Sequence, residues 1–318
     1  MSIRTPGLWR VLVAGILASA CSGSSSVAPT PPPVSGPGPI TNPPAAPVTL
    51  VGAGDIADCS TLDGAAAAES TARLIDRITD AVVFTAGDNA YFNGTAAEFQ
   101  NCYGPRWGRF RNRTRPSPGN HEYNPPSFGI PYYDYFGDLA GPRGAGFYSY
   151  TLGNWHIVAL NSNVPVNPGS EQLQWLKQDL DENQATPTAR CTLAYWHHPL
   201  FTSGPSAGTN ALMRPVWQVL YEFGVDVVVN GHDHLYERFD WMDPNGRRDS
   251  PLAGIRQYTA GTGGAPLYDF GPRLATSVAT LKAVGVLKFT LREAGWDSVF
   301  IQAGSELPFD LSTDNRCH

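Results

Sequence analysis

Charge is scarce in this sequence. Only 16% of its 318 residues are Asp, Glu, Lys or Arg, and the balance is -6 at neutral pH. A nucleic-acid-binding domain normally carries a basic excess, so a nucleic-acid partner is not expected. Long apolar runs are missing too. Val11–Ala20 is about half the length that a bilayer-spanning helix needs. No segment repeats itself, which removes solenoids and propellers. Gly261-Thr262-Gly263-Gly264 has neither the lysine nor the spacing of a nucleotide P-loop, so it reads as a tight loop lining a pocket.

What is plentiful is glycine (33) and proline (28). That composition suits a loop-rich exported protein better than a cytosolic helical one. The N-terminus agrees. Arg4 and Arg10 precede the short apolar run, and Ala18-Ser19-Ala20-Cys21 follows it, the order of an export signal. The last four residues resemble a bacterial lipoprotein cleavage box, with Ala18 standing where that box usually has Leu. Residues 1–21 are therefore expected to be a signal peptide of lipoprotein type, with ordinary secretion as the alternative. A lipid on Cys21 would be the one membrane attachment, at the periplasmic face or cell surface. Residues 22–47, rich in Ser, Pro and Gly, cannot build a core and read as a tether. The folded domain is expected over 48–318.

With Cys21 lipidated, Cys59, Cys102, Cys191 and Cys317 remain. Four cysteines allow three pairings. Cys59–Cys102 with Cys191–Cys317 is the expected one, because the first two each follow a candidate active-site loop.

From Val48 the order is strand, helix, strand. Val48–Ala53 and Ala81–Thr85 are apolar β runs, and Leu62–Ile78 carries helix formers between them. A unit of this length implies parallel strands with a right-handed crossover. Its aspartates, Asp55 and Asp88, then fall at the carboxyl ends of neighbouring strands, where open α/β sheets hold their ligands. Residues 91–147 read as long functional loops. Trp155–Leu160, Thr192–Trp196 and Val225–Val229 read as strands. Ser170 caps a helix through Leu180, and Leu212–Phe223 is a second helix. Arg256–Ala260, Val284–Leu291 and Ser298–Gln302 read as strands of a second sheet.

One punctuation recurs: an apolar strand, a turn, then a residue suited to a metal. It occurs at Gly54-Asp55, Gly87-Asp88, Pro118-Gly119-Asn120-His121-Glu122, Trp196-His197-His198-Pro199 and Gly231-His232-Asp233-His234. Gly231 supplies the last turn. Five of the seven histidines lie in these turns, and imidazole with carboxylate suits zinc, iron or manganese. His156 sits inside a strand and reads as a satisfied core histidine, His318 as a free terminal one. Arg106, Arg109, Arg111, Arg113 and Arg115 read as a solvated, ion-paired face rather than a phosphate site.

The ordered set resembles the calcineurin-like metallophosphoesterases. Asp88-Asn89-Ala90-Tyr91 and His232-Asp233-His234-Leu235-Tyr236-Glu237-Arg238 look most like the purple acid phosphatase branch, and the resemblance runs from about Val51 to Gly264. It implies an α/β fold of two mixed sheets packed face to face with helices outside. It implies two metal ions, Fe3+ with Zn2+, Mn2+ or Fe2+, one held by Asp55, Asp88, Tyr91 and His234. The other would take Asp88, Asn120, His197 and His232, with Asp88 bridging. A metal-bound hydroxide would attack a small phosphorylated substrate, a monoester in this branch, and His121 would protonate the leaving oxygen. His198 is either a substrate-facing group or a structural one. The alternatives are a phosphodiesterase or nucleotidase with the same metals, or a metal-stabilised lipoprotein without turnover. No pattern speaks for an oligomer.

Overall fold

Short runs of β-branched and aromatic residues set the two sheets of this computed structural model, which describes residues 46–185 and 189–318. The expected signal peptide, Cys21 and most of the tether lie outside the described residues. Val48–Ala53 (β1), Ala81–Ala86 (β2) and Thr114–Ser117 (β3) run parallel. Next come Tyr148–Leu152 (β4), Trp155–Ala159 (β5), Cys191–Trp196 (β6), Val227–Asn230 (β7), Tyr236–Met242 (β8) and Ile255–Ala260 (β9). Ser277–Leu281 (β10), Gly285–Arg292 (β11), Gly295–Gln302 (β12) and Phe309–Arg316 (β13) complete the chain. One sheet has the order β13-β12-β11-β1-β2-β3 and the other β10-β8-β9-β7-β6-β5-β4. Both mix parallel and antiparallel pairs, as expected.

The sheets face each other across a shared core. Leu50, Phe84, Leu287 and Phe289 of one meet Ile157, Leu193, Val227 and Tyr258 of the other, all fully buried. Each such side chain contributes about 1.5–3 kcal/mol as an upper figure. The outer faces are covered by helices. Leu62–Asp76, its first turn capped by the Thr61 hydroxyl, packs with the aromatic segment 99–140 on the first sheet. Glu171–Ala185 and Arg214–Glu222 cover the second. Leu173, Leu176 and Leu180 point inward as their spacing predicted, and Ser170 Oγ caps the Leu173 N–H at 3.4 Å. No described helix is long and apolar enough to cross a membrane.

Three expectations are corrected. Ile255–Ala260 does not belong with the later strands: β9 pairs in parallel with β7, while β11 and β12 extend the sheet of β1. A buried apolar run carries no sign of which partner it takes. Residues 91–147 are not bare loops. They include the helices Asn120–Tyr123 and Ile130–Phe136, and Phe99, Tyr103, Trp107, Tyr132 and Phe136 form a buried aromatic layer. His318 is not free, for its N–H donates to Asp226 at 2.9 Å and its Nδ1 lies 3.1 Å from the Gly224 carbonyl. The disulfides are those expected, Cys59–Cys102 and Cys191–Cys317.

Candidate metal centre

Every residue of the recurring punctuation stands at the carboxyl end of a parallel strand. Asp55 follows β1, Asp88 follows β2, Asn120 follows β3, His197 follows β6, and His232 and His234 follow β7. β1, β2 and β3 lie in one sheet and β6 and β7 in the other, so the site sits where the two sheet ends converge. Backbone shape does part of the aiming. Asp55, Asp88 and His232 have φ of 58°, 50° and 70°, a left-handed conformation that costs a non-glycine residue free energy and clusters at functional sites. The expected turn at Gly231 is thus made by His232. Gly231 is needed for closeness instead, since a Cβ there would stand 2.6 Å from both the Ala86 carbonyl and Asp55 Oδ2. Gly119 is needed likewise, because its Cβ would fall 2.1 Å from Asp88 Oδ1.

The donor atoms fall into two groups that share an oxygen. In the first, the Tyr91 hydroxyl is 2.9 Å from Asp55 Oδ1, 3.2 Å from Asp88 Oδ2 and 3.1 Å from His234 Nε2. His234 Nε2 is 3.2 Å from Asp55 Oδ1. In the second, His197 Nε2 is 3.1 Å from Asp88 Oδ2 and 3.1 Å from Asn120 Oδ1. His232 Nδ1 lies 3.1 Å from Asn120 Oδ1 and 3.3 Å from His197 Nε2. Ligands about 2.1 Å from a cation stand about 3.0 Å apart in an octahedron and about 3.4 Å in a tetrahedron. The donor set therefore fits two cations, with Asp88 Oδ2 in reach of both.

The tautomers are fixed from outside. His197 Nδ1 lies 2.8 Å from the Ala86 carbonyl and His234 Nδ1 2.6 Å from that of Pro266. A carbonyl only accepts, so Nδ1 carries the proton in each and Nε2 is free to ligate. The carboxylates are likewise held, for Asp55 Oδ2 accepts the His232 N–H at 2.8 Å and Asp88 Oδ1 that of His121 at 2.9 Å.

Burial works to raise the carboxyls of Asp55 and Asp88, but neighbouring histidines, His234 for the first and His197 for the second, outweigh it and hold both below the usual range. Burial works to lower His197, yet Asp88 and Asp55 push it up to about 9. Burial and His197 drive His232 down to about 4. Burial raises Tyr91 far above the ordinary phenol value, with Asp55 and Asp88 adding to it. The clustered carboxylates call for positive charge beside them, which a cation would supply by displacing protons from the histidines.

The other expected residues fall close by. His121 Nδ1 stands 2.6 Å from the Phe92 carbonyl, and its Nε2 faces Asp88 Oδ2 at 3.7 Å. The His198 ring lies 4.4 Å from the His232 ring, tilted by 48°, and its Nδ1 is 2.8 Å from the Ser162 hydroxyl. Burial and the two neighbouring histidines push it down to about 2, so it stays neutral. His156 Nε2 meets Asp179 at 2.7 Å, away from the site. The arginines are spent elsewhere. Arg109 pairs with Glu69 and Asp76, while Arg106, Arg111 and Arg113 donate to backbone carbonyls. Gly261 and Gly263 press against Asp55 and Gly54, which makes their loop a wall of the site.

Three residues escaped the sequence reading. Glu122, fully buried, accepts the N–H groups of Asn89, Ala90 and Gly119 at 2.8, 3.1 and 2.8 Å. It ties the Asp88 turn to the Asn120 turn, and its place directly after His121 was the available signal. Asp233 accepts the Thr202 and Ser206 hydroxyls at 2.5 and 2.9 Å, holding the 202–206 loop over the site. Ser206 lies in the pattern Gly204-Pro205-Ser206-Ala207-Gly208. That stretch lies in the long loop between β6 and the helix Arg214–Glu222, not in a sharp turn directly after the strand, and the hydroxyl's partner is Asp233, so it is not a nucleophile elbow. Tyr268 stacks on His234, rings 4.0 Å apart and 11° from parallel. No motif surrounds it in the sequence.

The chain matches the Calcineurin-like phosphoesterase family over residues 45–236. It is 29% identical over 202 residues to purple acid phosphatase 15 of Arabidopsis thaliana, covering 54% of this chain and 38% of that one. To purple acid phosphatase 18 of the same plant it is 27% identical over 246 residues, covering 71% and 52%. The solved purple acid phosphatase PPD1 from yellow lupin (Lupinus luteus) seeds has the same fold, with a TM-score of 0.69 at 18% identity over 84% of this chain and 53% of that one. The chain spans about half or less of these relatives. Two mixed sheets, helix-clad, with carboxylates and histidines at the converging strand ends define a metallophosphoesterase fold. The chain belongs to the calcineurin-like phosphoesterase family, and the curated relatives it matches include purple acid phosphatases.

Proposed function

We propose that the chain is a phosphomonoesterase that works with two metal ions. Asp55, Asp88, Tyr91 and His234 hold one; Asp88, Asn120, His197 and His232 hold the other. The observation that carries this reading is the single oxygen Asp88 Oδ2, 3.2 Å from the Tyr91 hydroxyl and 3.1 Å from His197 Nε2, which makes one carboxylate a member of both donor groups. When bound, such a pair supplies Lewis acidity toward the phosphoryl oxygens and activates the water nucleophile.

The chain's own residues supply the rest. His121 donates its Nδ1–H to the Phe92 carbonyl in a hydrogen bond, so Nε2 is the nitrogen presented to the leaving oxygen, and a proton there passes to that oxygen as the ester bond breaks. His198 has its Nδ1 occupied by Ser162, which leaves Nε2–H as a neutral donor; we assign it a phosphoryl oxygen. The Tyr91 hydroxyl stands within 3.2 Å of Asp55, Asp88 and His234, and a phenol among those donors supports Fe3+ beside Tyr91, with Zn2+, Mn2+ or Fe2+ at the second position. Two disulfides support an oxidising compartment and hence an exported protein, anchored through Cys21.

The test is metal analysis of natively purified protein with a phosphate-release assay on p-nitrophenyl and bis-p-nitrophenyl phosphate. Two metal equivalents and faster monoester turnover are expected. Faster diester turnover transfers the assignment to a phosphodiesterase with the same metals, and full metal content without any turnover leaves a metal-stabilised binding protein.

A further inference from the structure

Three reactive groups meet at the end of β6 that lies away from the metal centre. Cys191 opens that strand and is bonded to Cys317, whereas His197 follows its last residue. The two sulfurs and a carboxylate oxygen of Asp226 all lie within 4.8 Å of one another. Access to them differs. Cys191 is fully buried and Asp226 is 2% exposed. Cys317 is half-buried and lines a cavity of about 730 Å³ with Arg190, Thr192, Glu222, Phe223 and His318. That volume falls within the range of small-molecule sites, about 300–1,000 Å³. No described carboxylate or histidine joins Cys59–Cys102 in this way.

Burial makes the bond asymmetric toward thiols. In exchange a thiolate attacks one sulfur and expels the other, so the rate depends on which sulfur is reached and how well its partner leaves. Cys317 is the sulfur that can be reached. Cys191 Sγ would leave into the apolar core between the sheets, 3.8 Å from the Glu293 carbonyl. A thiolate is disfavoured in such surroundings, so it leaves well only if a proton arrives with it. Asp226 is the acid in place, and burial pushes its carboxyl up to about 6. Facing it are the N–H of Thr192 at 2.8 Å, the N–H of His318 at 2.9 Å and the His318 ring, Nδ1 at 3.6 Å. Arg190 and Glu222 carry the charge on the cavity wall.

We propose that Cys317 is a thiol-exchange site, at which a small peptide thiol enters the cavity and forms a mixed disulfide while Asp226 protonates the departing Cys191. The entering thiolate bonds to Cys317 Sγ as the bond between Cys317 and Cys191 breaks. Its electron pair leaves on Cys191 Sγ, which takes the Asp226 proton, and the carboxylate recovers a proton from water. Cys191 is reduced by the same two electrons that the entering thiol gives up. In the reverse step Asp226 takes the proton back as Cys191 attacks Cys317 and expels the thiol.

The experiment treats the folded, metal-loaded protein with reduced glutathione, blocks free thiols with N-ethylmaleimide and maps the peptides without reduction. The glutathione adduct should stand on Cys317 and the alkyl group on Cys191, with Cys59–Cys102 intact. Asp226→Asn should slow the exchange at least about tenfold, the least expected of a lost general acid. A variant that merely loosened the fold would exchange faster instead. Per unit of thiolate, the wild-type rate should fall as pH rises above about 6, and the Asn variant should show no such fall. An adduct on Cys191, earlier opening of Cys59–Cys102, an unchanged rate in Asp226→Asn, or no exchange before the protein unfolds each overturns the proposal.

Discussion

The backbone carbonyl of Phe92 stands 2.6 Å from Nδ1 of His121. Because that carbonyl only accepts, Nδ1 carries a hydrogen, and the bond fixes the ring's orientation with Nε2 turned toward Asp88. His121 supplies no donor atom to either metal group, so its loss should spare the metals. His121→Ala is expected to retain two metal equivalents and lose about 10²–10⁴-fold in kcat. The loss should be greatest for alkyl phosphates and smallest for 2,4-dinitrophenyl phosphate, whose leaving group needs no proton. An equal loss on all substrates contradicts an acid role.

The hydroxyl of Tyr91 touches Asp55, Asp88 and His234 within 3.2 Å. A phenolate on Fe3+ gives a visible charge-transfer band. Tyr91→Phe should remove the band and weaken that cation's binding roughly 10- to 100-fold or more, since even outer partners of a metal are worth that much. Absorption spectroscopy with competitive chelation checks it. A colourless native enzyme with full activity on zinc or manganese sinks the ferric assignment and leaves the donor set standing.

Cys59–Cys102 closes 43 residues of chain separation and Cys191–Cys317 closes 126. The first loop includes the Asp88 and Tyr91 turn. Loop-closure entropy gives the two bonds roughly 4 and 5 kcal/mol. Replacing each pair by serine should lower stability in urea by that order, the longer loop more. A change under about 1 kcal/mol in either case contradicts a structural role for that bond.

Asp226 is buried behind Cys191–Cys317 and accepts the N–H groups of Thr192 and His318 at 2.8 and 2.9 Å. Burial raises its carboxyl from 3.8 to about 6. Below the lower value the group is protonated whether folded or unfolded and costs nothing. Above the upper value it is ionised in both states, and the folded state carries the full cost, on the order of 3 kcal/mol. Relative to Asp226→Asn, native stability should therefore fall as pH rises from 3.8 to about 6 and stay level above that. Urea unfolding across that window checks this, and a constant difference refutes it.

Much of this was legible in the sequence because the recurrent strand, turn and ligand pattern is local. β1, β2, β6 and β7 carry their own apolar runs, and their ligands follow directly. Pairing is not local, so the apolar run of β9 does not say that it joins β7 rather than the later strands. The aromatic layer around Tyr103 and Tyr132 looks like loop in the sequence because its helices are too short to show a period. Tyr268 lies 34 positions beyond His234, yet the rings stack. No spacing rule reaches across such a gap, and only the β8–β9 hairpin brings the two together. Asp233 was masked differently: between two histidines it looks like a ligand, whereas its carboxylate turns away to the 202–206 loop.

Asp88 Oδ2 stands within reach of both donor groups. A crystal structure of the metal-loaded protein, with anomalous scattering to find the cations, tests it most directly. Two cations about 3.5–4 Å apart are expected, both ligated by Asp88 Oδ2, one beside Tyr91 and His234 and the other beside Asn120 and His197. A single cation, or two that do not share Asp88, would contradict it.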